Sequence, residues 1–523
     1  MRKFPPSSRL RLAFKELQAT PRRLWLTTFV LVTLLSGLWS VANPPLAGPD
    51  EPAHVIRAVA VDHGDVTGKK PTGRVERKLR RVEASTRVVQ APEVYRRLNG
   101  PPCFALNLGP AACLNFKGGD HNAEVATYAA LEPPAYYAAV GVVSWLFTSG
   151  PASVYGMRSL GVLLTAAFIA TAVTAVHRSA HSKLLITGLL LAITPMVLFT
   201  SSVVNPSAPE IASALAFWAC ALVLLTGQSE KPQMWLVNAA GIAACVLVLS
   251  RPFGPLWMAL IVLTGLCLAN GAALRNLARS GAVRLWGAAI IAASCVQIGW
   301  NVLVGVHDAT LVNRRSVGLA IIEPFVETGT AVRWFREMIG RFGWLDTQAP
   351  APTWLLWTAA LAFVFFLALA WVDRRRALVL LGLLGAVILV PVLIESTPYG
   401  SAETYWQGRY ILPLAVGVPI VAAFALESTD AGRQLVNRRF AWTVGIALGA
   451  AQFLAYAQNL RRYAVGYDGP ITFWANSDWV PPLPSLLLTA AYAGVLVVFL
   501  SFLLTGATSP VRPSVEERER MRV

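Results

Sequence analysis

Apolar residues in this chain fall into long blocks joined by short polar links. The blocks occupy residues 24–41, 156–176, 184–200, 207–227, 234–250, 253–270, 283–304, 353–372, 377–395, 409–427, 440–459 and 483–505. Runs of about 20 apolar residues cross a bilayer as helices. Open strands cannot, because lipid offers backbone groups no hydrogen-bond partner. The pattern therefore predicts an all-α polytopic membrane protein with about twelve transmembrane helices. A shorter apolar stretch, Pro134 to Phe147, opens on Pro133-Pro134, as proline opens a helix. We read it as a re-entrant or interfacial helix. If it crossed as well, there would be thirteen spans.

Composition agrees with the pattern. The 523 residues are 55% hydrophobic and 14% charged, against roughly 25% charged in a soluble domain. The net charge of +17 could suggest nucleic acid. However, the basic residues gather in short links, which is what membrane orientation requires, so no nucleic-acid partner is expected. Arg2, Lys3, Arg9, Arg11, Lys15, Arg22 and Arg23 precede the first block, and other basic links are 177–183, 275–284, 374–376 and 433–439. Placing all of them in the cytoplasm is consistent with twelve spans; a thirteenth at 134–147 would flip every later link. The first block is longer than a signal-peptide core and reads as a signal anchor.

This topology divides the chain into a basic cytoplasmic N-terminus (1–23), a single transmembrane domain (24–505) and a polar cytoplasmic tail (506–523), expected to be disordered. The outer surface would carry a first loop at 42–132, a turn at Asn205-Pro206, a second large loop at 305–352, and segments 395–408 and 460–482. Cys103 and Cys113 lie together in the first loop; outside the cell a disulfide between them is expected, the alternative being two free thiols. Cys220, Cys245, Cys267 and Cys295 sit in apolar blocks as packing residues. The basic stretch Lys69–Arg81 is either a solvated helix or a site for anionic headgroups or a phosphate-bearing glycan.

The first loop begins Asn43-Pro44-Pro45-Leu46-Ala47-Gly48-Pro49-Asp50-Glu51-Pro52-Ala53-His54. Two carboxylates follow the first span directly. A short helix is predicted over 53–62, with His54 and Arg57 on one face. Asp50 and Glu51 could be a positioned general base beside basic binding groups, or solvated acids capping that helix. Arg251 and Arg409 stand at span ends, where charge is costly unless used; they could bind phosphate or simply snorkel to the interface. Arg158 is a third such arginine. Trp344 and Asp346 suit a sugar ring and its hydroxyls, or an interfacial anchor. Gln407 and Tyr410 carry the same ambiguity, and Asn205 could be only a turn residue.

The run PPLAGPDEPAH after a first span resembles the signature of the bacterial membrane family of domain of unknown function 2142. Further matches follow in order: Glu132-Pro133-Pro134-Ala135-Tyr136-Tyr137, Ser201-Ser202-Val203-Val204-Asn205-Pro206, Ser250-Arg251-Pro252, Phe342-Gly343-Trp344-Leu345-Asp346-Thr347 and Gln407-Gly408-Arg409-Tyr410. The resemblance runs from about residue 24 to about residue 460. The chain has Glu132 where the family pattern has a histidine; the glutamate could supply a second carboxylate or cap the following helix. The family is similar in layout to the GT-C glycosyltransferases, which place an acidic motif in the first extracytoplasmic loop and a second large loop after the seventh span.

The resemblance implies an inverting glycosyltransferase in a bacterial plasma membrane. It would move a sugar from a polyprenyl-phosphate donor to a cell-envelope glycan or glycolipid on the extracytoplasmic side. One carboxylate suffices as base for direct displacement, whereas retention would need a nucleophilic second. The base would be Asp50 or Glu51, with Asp50 favoured by analogy. His54, Arg57, Glu132, Tyr136, Asn205, Arg251, Trp344, Asp346, Gln407, Arg409 and Tyr410 would bind substrate, arginines holding the phosphate in bidentate fashion. Two acids are too few to assert a divalent metal, so the cofactor stays unknown. The rivals are a transporter or flippase of lipid-linked glycans, which should show mid-membrane charges and repeated halves, and a membrane scaffold.

Overall fold

The computed structural model describes residues 6–72, 85–97, 100–116, 119, 121–147, 150–179, 182–227, 232–305, 328–395, 406–435 and 438–507. Most of the basic stretch 69–81, residues 306–327 of the expected second loop, segment 396–405 and the tail from 508 lie outside the described residues.

Every one of the twelve apolar blocks is helical. After α1 (Pro6–Leu17) and α2 (Pro21–Ala42), the first loop contributes α3 (Glu51–Asp62), β1 (Arg87–Pro92), β2 (Asn122–Thr127) and α4 (Pro134–Gly141). The bundle continues with α5 (Gly150–His177), α6 (Ser182–Ala192), α7 (Pro195–Ser201), α8 (Ser207–Thr226), α9 (Met234–Ser250) and α10 (Gly254–Leu268). It is completed by α11 (Gly271–Arg279), α12 (Gly281–Leu303), α13 (Thr328–Gly340), α14 (Ala351–Trp371), α15 (Arg374–Glu395), α16 (Gly417–Glu427), α17 (Arg438–Val465) and α18 (Ser485–Ala507). Among the described residues, nine helical segments are long and apolar enough to cross a membrane. The pair α6 and α7 passes the same test together, bent by 62°, and α9 and α10 are shorter apolar helices. The bend has a local cause. Pro195 cannot continue α6, since it lacks an N–H and its ring clashes with the preceding turn; Thr194 Oγ1 then accepts from Val197 N at 3.4 Å to start α7.

The stretch 134–147 does not behave as a span. Helix α4 has eight residues and ends in a 3-10 turn at Val142–Trp145. At about 1.5 Å per residue, eight residues reach about 12 Å, well short of a hydrocarbon core about 30 Å thick. Trp145, Leu146 and Phe147 at its tip are 69%, 78% and 48% exposed.

The first loop is a folded unit with its own small core. β1 pairs antiparallel with β2, Val89 opposite Val125. The inward faces of this ladder, α3 and α4 bury Val55, Val59, Val89, Val125, Tyr137 and Val140 together. A second two-residue ladder joins Arg341-Phe342 to Thr347-Gln348. Helices otherwise dominate, as the apolar pattern predicts. The basic links meet at the bundle end remote from this unit: Arg178 donates to Ala19 O at 3.0 Å, and Glu427 receives the Lys183 and Leu184 amides at 3.0 and 2.8 Å.

Within the bundle, α2 packs against α5 and α18, α8 against α5 and α9, and α6 against α16. Small residues permit the closest approaches, as between helices in lipid. A Cβ on Gly188 would lie 2.6 Å from Pro419 O and 2.7 Å from Ala423 Cβ, whereas one on Gly287 would meet nothing within 4 Å. Gly188→Ala should therefore lower the melting temperature of detergent-solubilised protein, and Gly287→Ala should leave it unchanged or slightly raised. Equal melting curves for the two variants would refute this packing of α6 on α16.

Candidate functional site

The turn between α2 and α3 is held by a buried ion pair. Arg158, from α5, donates Nε to Glu51 Oε1 at 2.8 Å and Nη2 to Oε2 at 2.7 Å. Its other N–H groups reach the carbonyls of Ser40, Asn43 and Pro44 at 3.1, 2.9 and 2.8 Å. All five guanidinium donors are thus used. Glu51 is equally committed: Gly48 N and Val204 N also donate to it, at 2.9 and 2.8 Å. Both side chains are 0% exposed. Glu51 has no lone pair left for a substrate, and Arg158 has no donor left for a phosphate. The expectations that treated Glu51 as an alternative base and Arg158 as a further phosphate ligand conflict with this geometry. The sequence shows the charges but not that each is satisfied.

Asp50, one residue earlier, points elsewhere. Its backbone is left-handed, φ 61°, and its side chain makes no capping bond to α3. Aspartate tolerates this region better than most residues, but it remains strained and needs surrounding support. The support comes from Asn205, whose Nδ2 donates to Pro49 O at 3.2 Å, while Tyr136 Oη accepts from Asn205 N at 3.0 Å. The freed carboxylate accepts from Tyr128 Oη on Oδ1 and from Arg409 Nη2 on Oδ2, both at 2.9 Å. Its side chain is 29% exposed, while that of Arg409 is 1% exposed. Burial would push the Asp50 carboxyl up; Arg409, His54 and the Tyr128 hydroxyl outweigh this and hold it below its ordinary value.

Arg409 is the other half of the site. It follows Gly408, whose amide donates to Glu337 Oε2 at 2.7 Å and whose missing Cβ leaves room for Trp334 O. Arg409 Nη2 also reaches Tyr410 Oη at 3.3 Å, but Nε and Nη1 are buried without a hydrogen-bond partner. Arg251 stands nearby. Its Nη1 donates to Ser207 Oγ at 2.7 Å and its Nη2 to Glu132 Oε1 at 3.2 Å. The Arg251 and Arg409 guanidinium carbons lie 4.6 and 5.0 Å from the same Tyr410 ring, within cation–π range. Glu132 Oε2 and Gln407 Oε1 are also buried and unpartnered. Buried polar atoms normally find a partner, so Arg409 Nε and Nη1 and Glu132 Oε2 are the unsatisfied groups of this charged cluster.

The remaining predicted residues divide between support and a separate cluster. His54 and Arg57 do share one face of α3, and both meet Tyr137: His54 Nδ1 lies 2.8 Å from its hydroxyl, and Arg57 lies 5.7 Å over its ring. Burial pulls His54 down to about 3, with Asp50 opposing and Arg251 and Arg409 adding to the shift, so the imidazole is neutral near pH 7. Arg57 donates to the carbonyls of Val66 and Glu132, fixing the Glu132 backbone. Asp346 is tied up. Its Oδ2 accepts from Leu106 N at 2.9 Å and Arg462 Nη2 at 3.2 Å, which clamps the loop closed by the Cys103–Cys113 disulfide. Trp344 Nε1 donates to Leu46 O at 3.3 Å, beside the Asp50 turn. Glu132 does not cap α4, whose N-cap is Pro133; its side chain goes to Arg251.

Tyr128, Ser207 and Glu337 belong to the site but carry no mark in the sequence. Tyr128 is delivered by the end of β2, and Thr127 pins that end by donating to Ala53 O at 3.0 Å. A strand in a polar loop was not expected. Among the described residues no group of three or more His, Cys, Asp or Glu side chains could hold a metal ion.

Helical spans carrying a charged cluster at one end define a polytopic membrane protein. A family model described as "Predicted membrane protein (DUF2142)" matches residues 33–418, and the chain belongs to that family. Two crystal structures of ArnT from Cupriavidus metallidurans resemble it, one bound to undecaprenyl phosphate and one in the apo state. Their identities are 16% and 17% and their TM-scores 0.42 and 0.43, each covering 92% of this chain, and 76% and 75% of theirs. A likeness of this degree carries no argument about activity. No curated protein matches the sequence.

Breaking a buried ion pair from one side costs about 3–5 kcal/mol. Glu51→Gln should therefore cut the melting temperature and yield of folded protein sharply. Asp50→Asn, whose amide oxygen can still accept from Arg409, should cost less. A thermal melt in which Asp50→Asn is the more damaging change would contradict this division of roles.

Proposed function

We propose that the chain is an inverting glycosyltransferase. It transfers a sugar from a polyprenyl-phosphate donor to a cell-envelope glycan or glycolipid, at the extracytoplasmic face of a bacterial plasma membrane. The proposal includes twelve spans, counting α6–α7 as one and including α9 and α10, with the basic links in the cytoplasm. The observation that carries it is Arg409: buried, bonded to Asp50 by one nitrogen, with Nε and Nη1 unpaired.

In this reading Asp50 is the base. It takes the proton of the acceptor hydroxyl as that oxygen attacks the anomeric carbon. The bond from that carbon to the phosphate oxygen breaks with its electron pair, and the polyprenyl phosphate leaves with the added negative charge. Arg409 and Arg251 take up that charge through preplaced donors, the arrangement that lowers such barriers most. A carboxylate held low by an arginine is a weak base. Donor phosphate competing for Arg409 removes that restraint, so donor binding raises the basicity of Asp50 when an acceptor can use it. Glu51 is a positioning residue in this scheme, acting through the turn that presents Asp50. His54, Tyr136, Asn205 and Arg57 support the same turn, and Trp344, Gln407 and Tyr410 border the sugar. Asp346 acts indirectly, by holding the disulfide loop.

The test is sugar transfer by purified protein in liposomes containing labelled polyprenyl-phosphate sugars. Asp50→Asn and Arg409→Gln should each lower transfer by at least about 100-fold, as loss of a general base or of an electrostatic donor does. Movement of intact lipid-linked sugar between leaflets without transfer would replace this reading with a flippase.

The pH dependence follows from the two shifts. A depressed carboxyl is still ionised within the ordinary carboxylate range, so Asp50 keeps its charge throughout the working pH. His54, at about 3, is uncharged throughout the working range. The acid side of the kcat/KM profile should be flat from pH 5 to pH 7. A step near pH 6.5 that His54→Asn abolishes would contradict it.

A further inference from the structure

A second cluster of arginines lies beside α13, where no function has been assigned. Arg333, Arg336 and Glu337 fall on one face of that helix by their spacing, and Arg341 follows at its end. With Gln348 and Trp354 the three arginines line a cleft of about 200 Å³. The Arg336 guanidinium sits 4.6 Å over the Trp354 ring. Among the described residues one carboxylate serves the cluster: Glu337 Oε1 lies 3.8 Å from Arg333 and 3.4 Å from Arg341. Among the described residues Arg336 and Arg341 against Glu337 leave the cleft net positive.

Its position narrows the ligand. Trp354 is in the first turn of α14, a candidate span, at the depth where tryptophan marks the membrane interface. Apolar side chains open to lipid adjoin it: Val332 is 49% exposed and Leu355 is 52% exposed. A soluble anion would use the charge but not this apolar border. A lipid with a phosphate headgroup uses both, its phosphate on the guanidinium forks and its acyl chain along α14.

We propose that this cleft binds the phosphate of an anionic membrane phospholipid. The site is distinct from the one around Arg409 and would exist whether or not the chain transfers sugar. It is nonetheless linked to that site, because Glu337, which faces the arginines through Oε1, holds the Gly408 amide through Oε2.

The test is native mass spectrometry of the full chain released from mixed micelles of phosphatidylglycerol and phosphatidylcholine. Phosphatidylglycerol should be retained preferentially. One arginine at headgroup level is worth about fivefold in affinity. Arg336→Gln should therefore lower that retention about fivefold, Arg336→Lys should preserve most of it, and Arg433→Gln at the other end of the bundle should not change it. Size-exclusion profiles matching wild type establish that the variants are folded. Equal retention of the two lipids by wild type, or full retention by Arg336→Gln, would overturn the proposal. So would displacement of the lipid by millimolar inorganic phosphate, which would make the cleft a soluble-anion site. None of these readouts depends on catalysis, so failure here leaves the transferase reading untouched, and the reverse holds too.

Discussion

Glu51 and Arg158 are both withdrawn completely from water, and each satisfies every hydrogen-bonding group of the other's end of the pair with help from the backbone around them. Transferring such charges from water into a low-dielectric interior is expensive, of order 20 kcal/mol per ion in the idealised case. The arrangement persists because seven hydrogen bonds converge on one point, drawn from the end of α2, the turn after it, α5 and the Val203–Asn205 turn. That point fixes where the chain leaves the first span. Once Glu51 is anchored inward, its neighbour must project outward. The left-handed backbone of Asp50 is the strain that results, and the bundle sustains it.

The helical part of the molecule was legible because lipid allows few alternatives. Blocks such as 283–304 and 483–505 have no stable form other than a helix, and α12 and α18 cover them. The short α3 was equally readable, since its proline, charge spacing and apolar positions agree. The first loop was less so. RVVQAP and NAEVAT alternate only weakly, and their pairing depends on α3 and α4 being present to cover the ladder's inner face. Strand preference of this kind belongs to tertiary context rather than to the residues. Tyr128 was invisible for that reason.

Charges were legible as charges but not as partners. Asp50 and Glu51 are adjacent acids of similar chemistry, and nothing in the run PPLAGPDEPAH says that one is spent on Arg158 and the other meets Arg409, 359 positions away. Arg158, Arg251 and Arg409 looked alike at the ends of apolar blocks. They differ in what remains unpaired: nothing on Arg158, and two nitrogens on Arg409. That difference, a matter of hydrogen-bond accounting in three dimensions, separates the arginine that holds the turn from the one available to a ligand.

The central claim is that Arg409 receives an anionic group while Asp50 waits on the other side of the same guanidinium. The most direct measurement is a cryo-electron microscopy structure of the chain in lipid nanodiscs with a polyprenyl phosphate added. The account predicts phosphate density within hydrogen-bond distance of Arg409 Nε or Nη1, with Arg251 adjoining and the Asp50–Arg409 contact lengthened or lost. A phosphate bound elsewhere, with that ion pair intact and both nitrogens still unpartnered, would contradict it.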